Sequence, residues 1–196
     1  MNTLWYLDRA SGFVLLVLFT FSVVMGILAT RRRVPTTWSR LFTQELHVRV
    51  TSVALALLVV HVATVVMDSY VDITPIDVVV PFLGGYRPLW LGLGTLTLDL
   101  ILIVLLTTFI RGRLGERTWR VFHVLAYAGW VMCLLHAWGT GTDARTSWGL
   151  GIILGCTLVG LLATVARIVM VVRGHNDVET PTVAGHAATK GEVTVS

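Results

Sequence analysis

Residues 46–62 read LHVRVTSVALALLVVHV, and residues 113–143 read RLGERTWRVFHVLAYAGWVMCLLHAWGTGTD. Both are apolar runs that carry two histidines, His47 and His61 in the first, His123 and His136 in the second. A helix that crosses a bilayer needs about 20 apolar residues, and each run is long enough. Three further runs match them, so the chain reads as five spans: Ser11–Thr30, Glu45–Met67, Leu89–Ile110, Trp119–Trp138 and Trp148–Val172. Trp5, Trp38, Trp90, Trp119 and Trp148 fall near the span ends, where aromatic belts form.

The composition agrees. The 196 residues are 55% hydrophobic and 13% charged, and the mean hydropathy is +0.80. Soluble domains carry about 25% charged residues, so this chain has too much apolar surface to hide in a soluble particle. The expectation is an all-α integral membrane protein, a bundle of five transmembrane helices with no room for a nucleotide-binding module beside it. The net charge of +4 does not argue for a nucleic-acid partner, because the arginines cluster at the ends of apolar runs. Arginines, not a small-residue cleavage site, follow the first span, so it does not read as a signal peptide. Cys133 and Cys156 lie inside apolar runs without CxxC spacing and read as packing residues.

The connecting segments set the expected orientation. The first carries Arg31, Arg32, Arg33 and Arg40, and the third carries Arg111, Arg113, Arg117 and Arg120 against Glu116. Arg173 and Lys190 follow the last span. Asp68, Asp72 and Asp77 dominate the second connection, with Arg87; Asp143 and Arg145 mark the fourth, and Asp8 and Arg9 the N-terminus. The positive-inside rule then predicts the N-terminus outside and the C-terminus in the cytoplasm. Pro75, Pro81, Gly84, Gly85 and Pro88 break up the second connection, which has room for a short interfacial piece around Ile76–Phe82. Residues 174–196 are polar and lack aromatics, which predicts a disordered tail holding His175 and His186.

The remaining four histidines are unusual residues for an apolar helix. Single membrane histidines commonly serve packing or hydrogen bonding. Four of them, paired at nearly one spacing on two helices, point to function, since ionisable groups are costly in hydrocarbon. His47 and His61 are fourteen residues apart, a rise of about 21 Å that returns within roughly 40° of the same helix face. The two helices run in the same direction, so His47 shares a depth with His123, and His61 with His136. Zinc needs four ligands at one point, which residues so far apart cannot give. Two ligands facing each other across a flat apolar ring suit haem. The thirteen residues from His123 to His136 leave those rings about 140° out of phase on an ideal helix. An irregularity is therefore expected, with Gly129 as one location and a helix end before Gly139 as another.

These spacings, together with RASGFVLLVLF at 9–19 and YRPLWLGLG at 86–94, resemble the ferric reductase-like transmembrane domain family. That family includes the membrane cores of NADPH oxidases and metalloreductases, and the haem-binding subunit of bacterial methionine sulfoxide reductase systems. The resemblance covers Arg9 to Val172. It implies that residues 1–173 form a haem-binding membrane domain with two haems b, ligated by the pairs His47/His123 and His61/His136. Two departures stand out: the family core is often drawn with six helices, and its full-length reductases continue into a flavin and nucleotide module where this chain has a short tail.

The resemblance implies a cytochrome b in the plasma membrane that passes electrons outward. The donor would be a separate cytoplasmic flavin reductase or a quinol, and the acceptor ferric iron, a flavoprotein or a partner reductase. Alternatives are a quinol-oxidising anchor of a redox complex, and a non-redox transporter or structural subunit whose histidines handle metal or protons. Arg120, one turn before His123, Arg49 and Arg87 are candidate partners for anionic haem propionates, with topology or headgroup contact as the plain alternative. Tyr127, four residues after His123, should share its helix face, either against the haem or in the core. Gly94 and Gly129 admit a porphyrin or close helix contact. Asp99, midway along the third span, suits a proton relay, a quinone contact or a hydrogen bond to a neighbouring helix.

Overall fold

The computed structural model describes residues 3–29, 37–68 and 71–176, with side chains described at 3–29, 41–68 and 71–172. The chain is all-helical over these residues: α1 Thr3–Ala29, α2 Thr37–Met67, α3 Pro75–Val79, α4 Pro88–Phe109, α5 Arg111–Leu114, α6 Glu116–His123, α7 Leu125–Thr140 and α8 Ser147–Asn176, with a 3₁₀ turn at Asp143–Arg145. Five spans are long and apolar enough to cross a membrane: Thr3–Ala29, Leu41–Met67, Pro88–Phe109, Glu116–Thr140 and Ser147–Val172. Their outer faces are apolar. Along α8 alone Leu154, Leu158, Leu161, Leu162, Val165 and Ile168 are exposed. A continuous apolar surface of this kind suits hydrocarbon and not water.

Local chemistry sets several of these boundaries. Proline opens both α3 and α4, where its missing N–H is no loss. Before α3, the Asp77 carboxylate accepts from the Thr74 backbone N–H and hydroxyl, both at 2.8 Å. Gly115, at φ 77°, supplies the left-handed corner between α5 and α6 that a side chain would strain.

Several sequence-based boundaries shift, among them the second span, whose helix begins at Thr37 and not at Glu45. The first span begins at Thr3 and not at Ser11, so Asp8 and Arg9 lie within α1. Both are accommodated: Arg9 Nε bonds Asp143 Oδ2 at 2.6 Å and its guanidinium also reaches Thr142, while Asp8 turns toward His61. The last helix runs through 173 to Asn176; the rest of the tail, including His186, lies outside the described residues, as do Arg31, Arg32 and Arg33. The expected irregularity in the fourth span is at Val124. There Tyr127 N–H bonds the Val124 carbonyl three residues back, at 3.0 Å, and separates α6 from α7. Gly129 instead packs regularly, a Cβ there meeting Leu100 and Phe19 at 3.7 Å, and α7 continues past Gly139 to Thr140. One 3₁₀-type turn advances each residue by about 120° instead of 100°, which recovers roughly 60° of the phase missing between His123 and His136.

The helices associate as two antiparallel pairs, α1 with α2 and α4 with α7, and α8 backs α1. The core lies among α1, α7 and α8, where Leu16, Val23, Ile27, Trp130, Leu134 and Ile153 are buried. Trp130 donates its indole N–H to Thr20 Oγ1 at 3.0 Å, which satisfies a polar atom in an apolar layer. Cys133 and Cys156 are free thiols packed in or against this core. Among the described residues, α2 packs extensively on α1 and on no other helix. A gap is left between α2 and the α4–α7 pair.

Candidate functional site

That gap is a cavity of about 2330 Å³, lined by His47 and His61 from α2, by His123 at the end of α6 and by His136 from α7. Small-molecule sites are commonly about 300–1,000 Å³, so this space has room for more than one large group. At one end His47 faces His123, with ring centroids 6.3 Å apart and planes at 69°. At the other end His61 and His136 line the same cavity.

Three of the four rings are held in the same way. His47 Nδ1 lies 2.9 Å from the Ser22 carbonyl, His61 Nδ1 3.2 Å from the Asp8 carbonyl, and His136 Nδ1 2.9 Å from the Trp90 carbonyl. Each Nδ1–H therefore donates to a backbone oxygen of the neighbouring helix. This places the proton on Nδ1 and leaves the Nε2 lone pair free. The three tethers all engage Nδ1 and none engages Nε2.

The sequence device behind these bonds is a glycine four residues after each accepting carbonyl: Gly12 after Asp8, Gly26 after Ser22, Gly94 after Trp90. In an α-helix the carbonyl at i bonds the N–H at i+4, and a side chain at i+4 crowds the second lone pair. Glycine leaves it open, and the imidazole occupies the notch. A Cβ on Gly12 would lie 3.2 Å from His61 Cε1, one on Gly26 3.6 Å from His47 Cε1, and one on Gly94 2.5 Å from His136 Nδ1. Ser11 Oγ, 3.1 Å from His61 Nδ1, and Ser22 Oγ, 3.4 Å from His47 Nδ1, give additional polar support. Asp8 Oδ1 is also 3.1 Å from His61 Nδ1, without forming a directed hydrogen bond.

His123 is the exception. Its Nδ1 is buried with no hydrogen-bond partner. The notch pattern on α4 would place an accepting carbonyl at Val104 and a glycine at 108, fourteen residues beyond Trp90 and Gly94. Position 108 is Thr, and the hydroxyls of Thr107 and Thr108 already bond the Val104 carbonyl at 3.0 and 2.7 Å. The Trp119 ring covers His123 instead, with centroids 4.8 Å apart.

The other sequence candidates separate clearly. Arg120 lines the cavity and pairs with Glu116. Arg49 is exposed and paired with Glu45 at 2.6 Å, away from the cavity lining. Arg87 is also absent from the lining; its Nη1 donates to the Gly139 carbonyl at 2.5 Å, so it ties α4 to the end of α7. Tyr127 both lines the cavity and packs on the core. Asp99 is half-buried and not among the lining residues. The sequence reading missed Arg111 and Arg167, which line the cavity. It also missed Ser11, Ser22, Gly12 and Gly26, although the fourteen-residue interval between the two glycines repeats that of His47 and His61. Among the described residues no three His, Cys, Asp or Glu side chains converge on a point that could hold a metal ion.

Residues 3–143 match the family described as "Domain of unknown function (DUF8596)", and the chain belongs to that family. No curated protein and no solved structure matches the chain.

Proposed function

We propose that this DUF8596 member is a membrane cytochrome b that holds two haems, one between His47 and His123 and one between His61 and His136. It carries electrons across the bilayer between carriers at its two faces. The observation that supports this most directly is the facing pair at one end of the cavity. A metal ion about 2 Å from each Nε2, with about 1 Å more from nitrogen to ring centre, needs centroids roughly 6 Å apart. The His47 and His123 rings stand at 6.3 Å. The tautomer fixed at His47, His61 and His136 also leaves free the nitrogen that a metal takes. Among the described residues no three ligands cluster as a compact zinc-type centre requires, whereas haem asks the protein for only two ligands.

When bound, haem supplies the one-electron iron couple. The chain does the rest. The glycine notches and carbonyls orient the imidazoles; Leu55, Leu58, Leu98 and Ile101 exclude water between the two ends. Arg111, Arg120 and Arg167 provide cationic partners for propionates at the His47/His123 end. By the positive-inside rule that end faces the cytoplasm, in the plasma membrane. A cytoplasmic flavin reductase or a quinol would then be the donor, and ferric iron, a flavoprotein or a reductase the acceptor. The motifs that support this reading are those that resemble the ferric reductase-like family.

Purified protein should be red, show a dithionite-minus-oxidised b-type spectrum and contain about two haems per chain by pyridine haemochrome. His47→Ala and His123→Ala should remove the same spectral component, and His61→Ala and His136→Ala the other. Colourless protein with full helical content, purified from haem-replete cells, would end this reading.

A further inference from the structure

The exception at His123 has a consistent geometry around it. Thr108, in the position of the missing notch glycine, accepts the Trp119 indole N–H at 3.2 Å. That bond holds the Trp119 ring against His123 at 4.8 Å with a 34° tilt. The Arg111 guanidinium also sits over the indole, 5.1 Å from the ring centroid. Arg111, Trp119 and His123 thus form a chain of ring contacts from the exposed α5 to the cavity, where His123 faces His47. The other three histidines are tethered through Nδ1 to a backbone carbonyl; this one is covered by an aromatic ring instead.

The surface around the stack is strongly basic. Arg111, Arg113, Arg117 and Arg120 are all exposed on α5 and α6, and the nearby acid, Glu116, is paired with Arg120. Topology rules account for the number of arginines in this segment. They do not account for an arginine stacked on a tryptophan that touches the one histidine lacking a backbone tether.

We propose that Trp119 is the port through which an acidic, soluble one-electron carrier protein exchanges electrons with the group held by His47 and His123, docking on the arginine face of α5 and α6. The inference rests on the haem reading. The step is a single electron transfer: the reduced carrier loses one electron, the haem iron gains it, and no bond is made or broken. Acidic side chains on the carrier would pair with Arg113 and Arg117, bringing its redox centre close to the indole. Charge complementarity of this kind raises association rates by roughly 10–10³-fold and makes them fall with ionic strength.

The test uses haem-loaded full-length protein in nanodiscs and reduced plant-type ferredoxin, a strongly acidic one-electron donor, in stopped flow. Dithionite first sets the total reducible haem; an absence of any would defeat the haem reading itself, separately from the port. With haem present, the second-order rate of reduction by ferredoxin should fall steeply with added salt. Arg113→Gln combined with Arg117→Gln should slow it several-fold at low salt, with haem content unchanged. Trp119→Leu should lower the limiting rate at saturating ferredoxin, and Trp119→Phe should restore most of it. A salt-independent rate, or equal rates in the arginine double variant and the wild type, would overturn the proposal. So would a double variant altered only in its retention in phosphatidylglycerol-rich discs, since the arginines would then be reading lipid headgroups.

Discussion

At the scale of single residues, the site depends on what is missing from three positions. Gly12, Gly26 and Gly94 matter because the carbonyl four residues earlier must stay open to an imidazole. Their tolerance to a methyl group should follow the space available. Gly94→Ala brings a Cβ to 2.5 Å from His136 Nδ1 and should cost one haem of the two. Gly12→Ala, at 3.2 Å from His61, should lower occupancy only in part, and Gly26→Ala, at 3.6 Å from His47, should be accepted. Pyridine haemochrome on the three variants measures the series; equal losses, or the reverse order, would refute the notch as the seat of the ring. Asp99→Leu, at a position outside the cavity lining, should keep two haems and the wild-type reduction rate. The histidines were legible in the sequence because ionisable residues are rare in apolar helices. The notches were not, because small residues serve ordinary helix contact so often that their spacing carries meaning only once the partner ring is seen.

At the scale of elements, the break at Val124 sets the relation between α6 and α7. The thirteen-residue interval predicted an irregularity from phase alone, but its position is a property of hydrogen bonds that sequence spacing does not specify. Inserting one alanine between Val124 and Leu125 would restore a fourteen-residue interval to His123, yet turn His136 by about 100° and shift it about 1.5 Å, off its seat on the Trp90 carbonyl. The haem at His61/His136 should be lost and that at His47/His123 kept, leaving a one-haem spectrum; retention of both would mean that the break does not set the phase. Arg87 is a second element-scale joint. It caps α4 in the left-handed region, at φ 41°, and holds the Gly139 carbonyl at the far end of α7. Both Arg87→Ala and Arg87→Gly lose that bond, but glycine removes the backbone strain. The glycine variant should therefore be more stable than the alanine variant by about 1 kcal/mol, read from thermal unfolding in detergent. Equal stabilities would show that the turn carries no strain. Sequence placed Arg87 on the correct loop, yet the residue type alone could not distinguish an anion partner from a carbonyl clamp.

At the scale of the whole molecule, five spans and their order could be read from hydropathy, whereas the cavity could not, since it arises from where helices fail to meet. Among the described residues α2 leans chiefly on α1 and looks across the gap at α7. Haem bound between them would join the two sides, so its removal should loosen α2 far more than α8. Hydrogen exchange of haem-free and haem-loaded protein should show protection falling along 45–65 and little change along 150–165; a uniform change would argue against a hinged α2. The same arrangement bears on how the protein is made. During synthesis the α1–α2 hairpin is finished by Met67, before any of α4–α7 exists, and it contains both His47 and His61 and the carbonyls that hold them. The facing ligands appear some seventy-five residues later in the nascent chain. On the proposed haem reading, neither ligand pair is complete until the fourth span has emerged, so cofactor capture would belong to a late stage of biogenesis, with the gap beside α2 as the way in.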